Sequence, residues 1–68
     1  MKSLTTDQIT KLASRKGVKK TSVENFLFSM GEDPSAAWQN LRVDAQSYKW
    51  DSKTQKAISD GIILACKG

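Results

Sequence analysis

The side chains with the most chemistry to offer in this sequence are cations. Lys2, Lys11, Arg15, Lys16, Lys19 and Lys20 fall within the first 20 residues against one acid, Asp7, a local charge of +5. The remaining residues hold five basic and six acidic side chains, so the net charge of +4 comes from the first third of the chain. Cations concentrated in this way attract polyanions, and they also suit a plain solvated helix face and turn.

Other chemistries are poorly provided for. There is no histidine, so Ser–His and Cys–His nucleophile systems have no base within the chain. Cys66 is the one cysteine; it makes no internal disulfide, and a single thiolate makes no zinc site. Glu32 and Asp33 are adjacent, but they stand at a helix start, where acids are favoured anyway. No phosphate-binding glycine loop occurs. The expectation is a non-enzyme with no catalytic residue, cofactor or metal.

The start, Met1-Lys2-Ser3-Leu4-Thr5-Thr6-Asp7, has no apolar stretch behind its lysine and does not read as a signal peptide. The longest apolar run, Ile62-Ile63-Leu64-Ala65-Cys66, is far short of the roughly 20 residues that span a bilayer. A cytoplasmic location without a membrane partner is expected.

The elements that must position the cations read as helices. Thr5 and Gln8 form a capping box ahead of Ile9, Leu12 and Ala13, with Leu4 stapled to Ile9 and Gly17 as the stop. A second helix opens near Thr21, with Glu24 in capping position, and carries the stripe Val23, Phe26, Leu27, Met30 up to Gly31. Asp33-Pro34 starts a third, with Ala37, Leu41, Ala45 and Tyr48 on one stripe and Trp38 beside it. The fourth starts near Asp51 or Ser52 and presents Ala57, Ile58, Gly61, Ile62 and Ala65, with Leu64 widening that face. Gly61 in mid-helix predicts close approach by a neighbouring helix or by an indole such as Trp50. The fold class expected is all-α: a compact bundle of four short helices, a single domain over residues 1–68. Its expected core is Leu4, Ile9, Leu12, Val18, Val23, Phe26, Leu27, Met30, Trp38, Leu41, Tyr48, Ile58 and Ile62.

Residues 8–27 resemble the helix-turn-helix of bacterial repressor-type DNA-binding domains. The matching positions are Leu12, the small Ala13, the turn Gly17, Val18, and Val23 with Phe26 on the second helix. In that family the second helix enters the major groove of duplex DNA. The resemblance implies that Lys19 and Lys20 meet phosphates, with Arg15 and Lys16 adding charge beside the turn. It implies that Thr21, Ser22 and Asn25 face the bases, with Asn25 able to pair with adenine.

Phe28 decides whether that geometry is open. At 100° per residue it lies on the face that would meet DNA, away from the apolar stripe. The balance tips toward the third or fourth helix covering it, which would make the second helix a buried centre. The competing reading is a protein-interaction module or small homodimer that uses Phe28, Val43 or Ile63 and binds no nucleic acid.

Overall fold

Thr5 begins the first helix. Its hydroxyl accepts the Gln8 N–H at 3.2 Å, and the Gln8 carboxamide accepts the Thr5 N–H at 2.8 Å, which closes the capping box. Donors that a helix start leaves unpaired are thereby satisfied locally. The computed structural model describes residues 3–67; Met1, Lys2 and Gly68, and with them the charge counted at Lys2 and the first two residues of the leader reading, lie outside it.

Four helices follow one another: α1 (Thr6–Ala13), α2 (Lys20–Ser29), α3 (Pro34–Ser47) and α4 (Ser52–Lys67). The described residues contain no strand, and the all-α expectation holds. α1 stops at Ala13, four residues before the expected glycine stop. Gly17 instead serves the connecting turn at φ +82°, a conformation that disfavours side chains bearing a Cβ.

α2 begins one residue before Thr21, and the expected Thr21–Glu24 capping pattern is not what starts it. Its N-cap, Lys19, makes no side-chain capping bond. The Lys19 N–H donates instead to the hydroxyl of Thr54 on α4, at 3.1 Å. Thr54 is fully buried, and its own N–H donates to the Asp51 carboxylate at 2.9 Å. A polar side chain at zero exposure is tolerated because it is hydrogen-bonded, and here it ties the start of α2 to the start of α4.

α4 is the shared partner. It packs on α1, α2 and α3; α1 and α2 also pack on each other, whereas α3 packs on α4 alone. The Cα envelope of 27 × 24 × 16 Å leaves room for about two helix layers. One contiguous core draws on all four helices, with Ile9, Val23, Ile58 and Ile62 deepest and Leu4, Val18 and Met30 against its edge. Gly61 has the close approach expected of it, and the neighbours are Leu27 and Leu12 rather than Trp50.

The aromatic residues correct the expected core. Trp38 is 36% exposed and Tyr48 is 64% exposed, while Trp50, at 6%, is the buried one. α3 ends at Ser47, and Tyr48 caps it. Lys49 then adopts φ +53°, and the Trp50 N–H returns to the Ala45 carbonyl at 3.1 Å. This left-handed closure swings Tyr48 outward and Trp50 inward. Phe26 meets the indole edge-on, with centroids 6.2 Å apart, and Tyr48 stacks on it from outside at 5.6 Å. Lysine is poorly suited to a position usually held by glycine. Lys49→Gly is expected to stabilise the fold by about 1 kcal/mol, read as a higher urea midpoint with unchanged helicity.

Candidate nucleic-acid interface

The residues singled out from the sequence lie along the 14–19 turn and the first half of α2. Lys16, Lys19, Lys20, Thr21 and Asn25 are exposed, and Ser22 is half-buried. Phe28 is 56% exposed, so the expectation that α3 or α4 covers it is overturned. The reason lies in the packing: α4 meets α2 on its Val23–Leu27 side, and the α3 backbone does not come close to α2. The outer side of α2 is therefore open.

Arg15, expected to add charge beside the turn, has a partner there. Its guanidinium donates to the Asp60 carboxylate on α4 at 2.6 Å, so its charge is paired. Both groups are partly exposed, and a pair of this kind contributes little to stability. It does subtract one free cation from the turn. Another is supplied from a distance: the Lys53 side chain of α4 lies over Gly17, where its Cδ would be 2.8 Å from an added Cβ. Lys53 was not legible as a member of this corner, because only the packing of α4 brings it there.

Asp51 stands within the same corner. Hydrogen bonds from the Thr54 side chain and backbone hold its carboxyl below the ordinary value of 3.8; Lys19 and Lys53 act in the same direction more weakly, and burial opposes them. A carboxyl depressed in the folded state stabilises it above the ordinary value. That stabilisation fades as pH falls through the depressed one. Asp51→Asn keeps an oxygen for the Thr54 N–H but loses the charge. The urea midpoint of the parent chain is expected to exceed that of the variant near neutrality, and the gap to close in acid.

Because α3 leaves α2, a cleft of about 340 Å³ opens between them. Ser22, Asn25 and Ser29 line it from α2, and Asn40 and Asp44 from α3. Phe26, Tyr48 and Trp50 supply its aromatic surface. The Trp50 indole N–H is buried without a hydrogen-bond partner among the described residues. Two of the residues expected at an interface, Ser22 and Asn25, thus border a recess as well as the open side of α2. The sequence signal for it was Tyr48 and Trp50 flanking Lys49, ahead of the acid that starts α4.

No group of three or more potential metal ligands occurs among the described residues, and no described helix is long and apolar enough to cross a membrane. Comparison with protein-family models, curated proteins and solved structures finds no match.

Proposed function

We propose that this chain is a small helical nucleic-acid-binding domain, with Lys16, Lys19, Lys20 and Lys53 meeting phosphates and the Thr21–Asn25 side of α2 facing the bases. The observation that supports it most is the open outer side of α2 beside a lysine corner. Ammonium groups on a turn and at a helix start suit phosphate oxygens, while hydroxyls and a carboxamide suit base edges. Arg15 is excluded from the phosphate set while Asp60 holds it.

Titration of labelled duplex and of labelled single strand at low salt tests the reading, and absence of binding to both removes it. Replacing Lys19 and Lys20 by alanine is expected to weaken all sequences alike, whereas Asn25→Ala relaxes preference at one base position. If the two changes act alike, α2 does not read bases.

A second reading has its own observation. Phe28, Val43 and Ile63 are exposed apolar side chains, which suit a protein partner or a second copy of the chain. A mass that rises with concentration, reverts on Phe28→Ser and comes without duplex binding favours that reading.

A further inference from the structure

We propose that the cleft between α2 and α3 receives one unpaired nucleobase of a single-stranded nucleic acid, whose phosphates run along the Lys19–Lys20 corner. The inference rests on the nucleic-acid reading above and narrows it to a strand with at least one unstacked base.

Tyr48 carries the first step. Its ring is mostly exposed and lies nearly parallel to Trp50, at 19°. One face is taken by the indole, so the other is available to continue the stack. Exposed aromatic rings beside basic grooves are how sequence-tolerant single-strand binders hold bases. Such a ring is held in place here by the Trp50–Phe26 contact beneath it.

The walls carry the second step. Asn25 and Asn40, one from each helix, each offer both a donor and an acceptor, and Asp44 offers a further acceptor. That mixture matches the donor–acceptor edge of a base that has left its pair. It does not match a phosphate, which the Asp44 carboxylate would repel.

Position carries the third. Ser22, on the cleft wall, belongs to the same helical turn as Lys20 and follows Lys19 by three residues. Trp50 adjoins Asp51, whose carboxyl feels Lys19 and Lys53. The Ser22 end of the cleft is thus within one helical turn of Lys19 and Lys20, the side on which a nucleotide with its base inside would set its phosphate. A guanidinium would also suit Asp44 and the rings. Lys19 and Lys20 disfavour a cationic peptide at that end, so the base is the better occupant.

The test uses the full chain and fluorescence anisotropy at low salt. Its probes are a labelled single strand of mixed sequence, the matching duplex, and an abasic strand of equal length. The base-bearing strand is expected to bind more tightly than the other two. Tyr48→Ala should weaken it roughly 5- to 150-fold, the range for losing one base stack, and leave the abasic strand unchanged. Tyr48→Phe should retain binding, and Asn40→Ala on the opposite wall should weaken it; circular dichroism checks that each variant is folded.

Equal binding of abasic and base-bearing strands overturns the proposal. So does binding that Lys19→Ala and Lys20→Ala weaken but Tyr48→Ala and Asn40→Ala do not; that result leaves the lysine corner intact as a phosphate site. No binding of strand or duplex overturns both readings. A Trp50 fluorescence response, measured in a Trp38→Phe background, to an arginine peptide but not to the strand overturns it in favour of a cationic side chain.

Discussion

Leu27→Ala is expected to lower the unfolding free energy by about 2–5 kcal/mol, and Gly61→Ala by up to about 2 kcal/mol, an overpacking cost of about 1–3 kcal/mol less about 1 kcal/mol regained in helix propensity. The first figure is a large share of what a domain of this length holds, roughly 3–10 kcal/mol. Leu27 is buried on α2 and packs against α4, where a Cβ built on Gly61 would stand 2.7 and 2.9 Å from its two methyl carbons. The same Cβ would be 3.2 Å from a methyl of Leu12 on α1. Three helices therefore meet at a position where a methyl group fits only if the Leu27 and Leu12 side chains shift. Truncating Leu27 leaves a cavity at that junction, and adding a methyl to Gly61 overfills it.

Helix propensity pulls the other way at Gly61. Alanine is favoured over glycine inside a helix by about 1 kcal/mol, so a purely local account predicts that Gly61→Ala stabilises. The two substitutions together separate the accounts. If the loss at Gly61 comes from Leu27, removing Leu27 makes room for the new methyl. The double variant should then be more stable than the sum of the single losses predicts, by about 1 kcal/mol or more. Gly31→Ala is the control: no atom lies within 4 Å of its added Cβ, and the change should stay within about 0.5 kcal/mol. Urea unfolding of the parent chain and the four variants reads all of this. A stabilising Gly61→Ala would show that the Leu27 and Leu12 side chains give way to the new methyl at little cost.

What was legible in the sequence was mostly local or strictly periodic. The Thr5–Gln8 box spans three residues, and its two bonds form as expected. On α4, Ala57, Ile58, Gly61, Ile62 and Ala65 are buried because period and burial agree, whereas Leu64, expected to widen that face, is exposed. The failures share another cause. Thr21 and Glu24 have the spacing of a cap, yet Thr54, 35 residues from Lys19, supplies the bond that joins the start of α2 to α4. Tyr48 continues the α3 stripe on paper, but the helix ends one residue earlier and Lys49 turns the chain so that Trp50 goes inward.

The site follows the same division. The lysines were visible as composition, but not which of them are free. Asp60 engages Arg15 across 45 residues, and Lys53 joins the turn from α4. The cleft could not be read from any stripe, because it arises where α2 and α3 fail to pack. Periodicity identifies which faces are apolar and leaves open which helices meet.

The paired state of Arg15 makes the salt dependence of nucleic-acid binding a quantitative expectation. Each phosphate neutralised on a duplex contributes about −0.9 to the slope of log affinity against log salt. With Lys16, Lys19 and Lys20 engaged, the slope is roughly −2.7, and affinity falls about 40-fold between about 50 and 200 mM salt. With Lys53 as a fourth contact the fall is about 150-fold. Asp60→Asn releases the Arg15 guanidinium while keeping a side chain of similar size at that position. It should strengthen binding and steepen the slope by about 0.9, as one added contact does. Arg15→Ala in the parent chain should leave the slope nearly unchanged, because its charge is already paired with Asp60. Anisotropy titrations across a salt series measure each slope directly. A parent slope near zero would remove phosphate contact altogether, and a slope reduced by Arg15→Ala as much as by Lys20→Ala would show that Arg15 leaves Asp60 for the nucleic acid.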